Sequence, residues 1–147
     1  MPSGIGSDRV SEAPFPFSIR QRVRFGETDM QGVVYYANYL LYAEVGRVAY
    51  LRELGFDYAQ LLERGIDFTI GEASVRYKVA LRFDEEYDIR VRVGDVRRVS
   101  WRFEYAVDRS DGTRSVDMHT VQVMLDRGTF KARRLPEALR GILESAR

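Results

Sequence analysis

Between Tyr39 and Leu54 the chain carries a segment that is apolar on nearly every side of a helix. Tyr39, Leu40, Leu41, Tyr42, Ala43, Val45, Val48, Ala49, Tyr50, Leu51 and Leu54 are its apolar members, and Glu44, Arg47, Arg52 and Glu53 form no single wet stripe. A surface helix shows one apolar face, whereas a helix that is apolar all round is buried. The segment is too short, and too interrupted by charge and Gly46, to cross a bilayer. One long helix of about four turns, following Gly32 and ending at Gly55, is therefore expected to lie inside the protein with a sheet built around it.

The rest of the chain supplies that sheet. Ser18 to Phe25 alternates as a first strand with Ile19, Val23 and Phe25 as its apolar members. Phe56 to Glu63 forms a short second helix stopped by Arg64-Gly65. From Phe68 the hydrophobic period changes from 3.6 to 2. Val75 to Arg82, Tyr87 to Val93 and Trp101 to Asp108 each alternate apolar with charged residues, the mark of antiparallel strands with one wet face. Ser110-Asp111-Gly112 signals a hairpin turn. Arg114 to Asp126 shifts phase, with Val116 and Met118 on one parity and Val121, Val123 and Leu125 on the other, which predicts a bulge or a strand covered on both faces. A last short strand at Thr129 to Arg133 precedes Pro136, which opens a C-terminal helix of about ten residues. Residues 1–16, rich in Pro, Gly and Ser, read as a poorly ordered tail before a single domain over residues 17–147. One such sheet covers only one side of so apolar a helix, so at least a homodimer is expected.

Composition narrows the functions. Twenty-three basic residues against 22 acidic ones do not make a dedicated nucleic-acid binder. With no cysteine there is no disulfide, thiolate nucleophile or cysteine metal site, and a single histidine, His119, builds no metal centre. The N-terminal residues show no secretory pattern, so the expected location is the cytoplasm. The arginines on the wet strand faces (Arg76, Arg82, Arg90, Arg92, Arg97 and Arg98) read as solvated, with a few available for phosphates.

The stretch with chemical character is Phe25 to Glu44, FGETDMQGVVYYANYLLYAE. Its pattern Thr28-Asp29-x-x-Gly32-x-Val34-Tyr35, then Asn38-Tyr39, then Glu44 and Arg47, resembles the 4-hydroxybenzoyl-CoA thioesterase family. These are Asp-type acyl-CoA thioesterases, and the Glu44/Arg47 pair is most similar to the short-chain, envelope-associated branch. The resemblance implies a hotdog fold of α+β class: an antiparallel sheet of five to six strands around one long helix, paired as homodimers or homotetramers. It implies hydrolysis of an acyl-CoA or acyl-carrier-protein thioester to acid and thiol, without cofactor or metal. Asp29 would be the catalytic carboxylate, as nucleophile or general base. The Tyr36 N–H would hold the thioester carbonyl, and Gly32, Val33, Val34, Tyr35 and Tyr39 would border the substrate. The chemistry is consistent with the residues. Thioester hydrolysis needs a carboxylate to attack or to activate water, and a donor where charge develops on oxygen. A helix N-terminus offers bare N–H groups and the positive end of its dipole.

Three rival readings stand beside this one. Asp29 in a Thr-Asp-x-x-Gly turn can be a cap that accepts backbone hydrogen bonds. Glu44 is a competing carboxylate, although Arg47 three residues on is placed to pair with it, and Glu27 reads as a solvated neighbour. The third is a hotdog protein that binds acyl-CoA or a partner without catalysis. Acyl length, aromatic preference, and CoA against carrier protein are not legible.

Overall fold

The fold was analysed in a computed structural model, which describes residues 14–147. Residues 1–13, most of the expected tail, lie outside the described residues. Five strands form one antiparallel sheet: β1 (Phe17–Arg22), β2 (Ile66–Tyr77), β3 (Glu86–Val96), β4 (Ser100–Arg109) and β5 (Arg114–Asp126), in the spatial order β1-β3-β4-β5-β2. The helices are α1 (Asn38–Glu53), α2 (Tyr58–Glu63) and α3 (Glu137–Ser145).

Helix α1 lies on one face of the sheet. Tyr39, Tyr42, Ala43, Gly46, Tyr50 and Leu51 turn inward and are buried against Ile89, Val91, Phe103 and Tyr105 in one hydrophobic cluster. Gly46 is the point of closest approach, because a Cβ there would stand 2.7 Å from Ile89 Cγ2. The helix is not enclosed on all sides, however. Leu40, Leu41 and Val45 are 40%, 57% and 41% exposed, so a single chain leaves an apolar stripe of α1 uncovered.

Local signals place the short elements. Asp57 caps α2 by accepting the Ala59 N–H at 3.0 Å, and Gly65 closes it with φ +74°. Pro136 stands at the N-cap of α3. Gly112, at φ +88°, turns β4 into β5.

Several expected strands change. The first strand stops at Arg22, and Phe25 instead sits 77% exposed in a 3-10 turn, Phe25–Glu27. β2 ends at Tyr77: Val79 and Leu81 lie in a connection where Lys78 and Val79 both donate to the Ser115 carbonyl. Thr129 to Arg133 is no strand but a turn, in which Asp126 Oδ1 accepts the Thr129 N–H at 3.0 Å, and only Leu125 bridges to Ala132.

The phase shift in β5 has a different cause from the one expected. The strand pairs with β4 without a break from Val116 to Val123, and its buried residues keep alternating through Val116, Met118, Thr120, Gln122 and Met124. Two of those inward positions are polar. Thr120 Oγ1 lies 2.7 Å from the Tyr105 hydroxyl, Gln122 Nε2 donates to Thr120, and Arg47 Nη1 reaches Tyr105 at 3.3 Å. Register shifts lie elsewhere: in β2 between Ile70 and Glu72, and at the start of β5, where Val107↔Val116 is followed by Asp108↔Arg114 and Ser115 is the extra residue.

Of the arginines read as solvated, Arg82, Arg97 and Arg98 are exposed, whereas Arg90 and Arg92 belong to an ion-pair ladder on the opposite face of the sheet. Arg90 pairs with Asp108 at 2.8 Å, Arg92 with Glu104 at 2.8 Å, and Arg20 with Asp88 at 3.0 Å.

Candidate active site

Asp29 sits in a tight loop that Gly32 makes possible. The Gly32 N–H donates to the Asp29 carbonyl at 3.0 Å, the Asp29 N–H donates to the Val33 carbonyl at 2.9 Å, and Gly32 takes φ +80°. That angle lies in the left-handed region which favours glycine. The Asp29 Oδ1 accepts the Gln31 N–H at 2.8 Å, so the turn-cap role read from the sequence is present. The role uses one carboxyl oxygen. The group is half-buried, and no cation pairs with it among the described residues.

The chain then returns toward α1. Val34 donates to the Leu81 carbonyl at 2.8 Å, and Asn38 donates to the Tyr35 carbonyl at 2.9 Å. Regular helix begins at Asn38, so Tyr36 lies in the turn that leads into it. No side chain caps α1, and its first turn has no acidic residue. Among the described residues nothing accepts the Tyr36 N–H. A bare, uncapped amide at a helix start is a donor available to a ligand.

A cleft of about 320 Å³ joins these features, with Asp29, Val33, Val34, Tyr36 and Tyr39 in its wall. Gly32 shapes the loop without lining the cleft. Tyr35 is 44% exposed and lays its ring against Tyr36 at 4.8 Å. The far wall was not legible in the sequence: Tyr77, Lys78 and Ser115 enter because β2 pairs with β5 in the register Tyr77↔Val116. Tyr77 donates to the Tyr36 carbonyl at 2.9 Å, and Tyr39 accepts the Leu81 N–H at 3.1 Å, which fixes both rings. Two larger clefts, about 480 and 380 Å³, open beside Arg92 and Glu104 and beside Gly71 and Arg102. Neither has a helix start in its wall, and Arg92 and Glu104 are already paired to each other.

Glu44 and Arg47 do not form the expected pair. Arg47 turns inward to Tyr105 and is 8% exposed, while Glu44 is exposed on the outer side of α1. At 100° per residue Glu44 stands about 140° round the helix from Tyr39, away from the cleft. Glu27 is not a solvated neighbour. Its carboxylate accepts the Arg24 N–H and the Tyr42 hydroxyl, both at 2.9 Å. Burial raises its pKa, but these donors and the Arg24 guanidinium outweigh that and hold it below the ordinary value. His119 bonds Glu72 at 2.8 Å across β5 and β2, outside this cleft.

Residues 23–143 match the family model described as the thioesterase-like superfamily. The chain is 32% identical over 126 residues to the acyl-CoA thioesterase YbgC of Haemophilus influenzae, covering 84% of this chain and 91% of that protein. Its fold superposes on a hypothetical protein from Aquifex aeolicus with a TM-score of 0.82 at 30% identity, covering 87% and 99% of the two chains. It also superposes on a DHNA-CoA thioesterase from Staphylococcus aureus, with a TM-score of 0.78 at 29% identity over 80% and 79%. A half-buried carboxylate, an uncapped helix start and this match over most of the chain agree: the protein belongs to the thioesterase-like superfamily and is a thioester hydrolase.

Proposed function

We propose that the chain hydrolyses acyl-CoA thioesters in the cleft between Asp29 and the start of α1. The observation that carries this reading is the meeting of a carboxylate with no ion-pair partner and one unbonded oxygen, Asp29, and an unbonded amide, the Tyr36 N–H, in one cleft wall. The thioester carbonyl oxygen accepts the Tyr36 N–H, whose position at a helix start favours the negative charge that develops there. Asp29 then acts in one of two balanced ways. As nucleophile it attacks the carbonyl carbon, the C–S bond breaks, the thiolate leaves, and water hydrolyses the mixed anhydride. As general base it takes a proton from water while the hydroxide attacks the same carbon; the C–S bond then breaks and the leaving thiolate takes the proton back from Asp29. Gly32, Val33, Val34, Tyr35 and Tyr39 serve the loop and the acyl wall. Their arrangement requires neither metal nor cofactor.

Two copies complete the particle. β2 is an edge strand, its inward-facing Ile70 and Tyr77 are 40% and 49% exposed, and the apolar stripe of α1 is uncovered. Pairing about this edge extends the sheet and covers the stripe in one step.

Asp29→Asn tests the catalytic reading. It keeps the side chain's shape and its bond to Gln31, and kcat falls about a thousandfold or more, equivalent to roughly 4 kcal/mol of barrier. The assay is a panel of aliphatic and aromatic acyl-CoAs ranked by kcat/KM. Full turnover in Asp29→Asn refutes the assignment. A wild-type protein that binds the panel but cleaves none of it is a binding module instead.

A further inference from the structure

Glu27 grips both halves of the candidate site. Its carbonyl accepts the Tyr35 N–H at 3.0 Å and Asn38 Nδ2 at 2.8 Å, so it holds the residues on either side of Tyr36. Its carboxylate works in two directions. Oε1 takes the Tyr42 hydroxyl, one turn into α1, and the Arg24 N–H, while Oε2 takes Arg24 Nε at 3.1 Å. Asp29 follows two residues later, in the loop that the bridge from Thr28 to Val34 closes. One acidic residue therefore ties the turn that delivers Asp29 to the first turn of the helix that delivers the amide.

We infer that Glu27 is a positioning residue for the hydrolytic step: it sets the separation between the Asp29 carboxylate and the Tyr36 N–H through its hold on Tyr42 and Asn38. It acts on the reaction only through those two groups, so the inference rests on the reading of Asp29 as catalytic. The demand on geometry is high, because a displacement of about 1 Å costs on the order of a hundredfold in rate. The side chain is built for such a role. It is 17% exposed and fully bonded to partners on both segments, and its charge is stabilised there.

Tyr42→Phe is the mildest cut. It removes the hydroxyl that reaches Glu27 and also meets the Tyr87 side chain, and keeps the ring in contact with Tyr87 and Tyr39, whose centroids lie 4.7 and 5.7 Å away. The experiment is a double-mutant cycle on one acyl-CoA substrate, with wild type, Tyr42→Phe, Asp29→Asn and the pair, and with kcat, KM and melting temperature read for each. In the wild-type background Tyr42→Phe lowers kcat about tenfold to a hundredfold and leaves KM within about twofold. In the Asp29→Asn background it lowers kcat no further, because the group that it positions is gone. Glu27→Gln follows the same pattern. Equal losses in both backgrounds, a loss carried by KM, or wild-type kcat in Tyr42→Phe each overturn the inference while leaving Asp29 in place. Wild-type kcat in Asp29→Asn alone removes the Asp29 reading and this inference with it.

Discussion

Gly46 makes the packing of α1 on the sheet measurable. A Cβ built there stands 2.7 Å from Ile89 Cγ2 and 3.0 Å from Val91 Cγ2. Both neighbours are β-branched residues on a strand, stiff at χ1, and cannot swing aside as the tip of a long side chain would. Overpacking of this kind costs about 1–3 kcal/mol. The helix itself gains about 1 kcal/mol when Gly becomes Ala, so the net loss for Gly46→Ala is up to about 2 kcal/mol. For a chain of this length that corresponds to a melting temperature lower by up to about 6 °C. Gly141 in α3 is the control: nothing lies within 4 Å of an added Cβ there, so Gly141→Ala expresses the propensity term alone and raises stability by up to about 1 kcal/mol. Ile89→Leu moves the offending methyl off Cβ at constant volume and restores part of the loss in the Gly46→Ala background. Thermal melts by circular dichroism, with urea titrations for the free energies, decide the matter. If Gly46→Ala melts higher than wild type, as Gly141→Ala does, the helix does not approach the sheet this closely.

Three other outcomes are expected. Leu41→Asp puts a charge into the uncovered stripe of α1, and light scattering should find it monomeric and the wild type, as proposed, dimeric; an unchanged mass would place the interface elsewhere. Tyr105→Phe removes the hydroxyl that serves both Arg47 and Thr120, leaving a buried guanidinium without that acceptor, and should cost roughly 1–3 kcal/mol in urea titrations; a loss below about 0.5 kcal/mol, the range of ordinary surface changes, would mean that the network contributes nothing. Glu27, with its pKa held low, stabilises the fold above its unfolded value of roughly 4.3 and loses that contribution as pH falls through the folded value. The stability gap between wild type and Glu27→Gln should hold from pH 7 to about pH 5 and close below it; a gap of the same size at pH 3 would contradict this.

Features that depend on neighbours in sequence were legible without coordinates. The stop at Gly65, the turn at Gly112 and the start of α3 after Pro136 each follow from a local conformational rule, and each occurs. The loop that exposes Asp29 was legible for the same reason, because Gly32 is what permits its tightness. Features that depend on distant partners were not. Thr120 and Gln122 look like wet-face residues until Tyr105 and Arg47 are known to meet them from another strand and the helix. Arg47 seemed destined for Glu44 on its own helix, but the helix is rotated so that one turns inward and the other outward. The alternation of Val75, Tyr77, Val79 and Leu81 suggested one long strand, although pairing with β5 ends at Tyr77↔Val116 and Leu81 is buried from a loop. Glu27 looked idle because its partner Tyr42 lies 15 residues away.

The bare start of α1 limits how robust this protein can become while it still works. A Ser or Asp oxygen at a helix start typically adds about 1 kcal/mol to a fold, and position 37 holds alanine. Such an oxygen would accept from the Tyr39 or Leu40 N–H. It would stand beside the Tyr36 amide that a thioester carbonyl is proposed to use and compete there for the positive end of the helix, so the protein would trade turnover for heat resistance. A hardier variant has to find its gains at distant positions such as Gly141 and leave this end of the helix hungry.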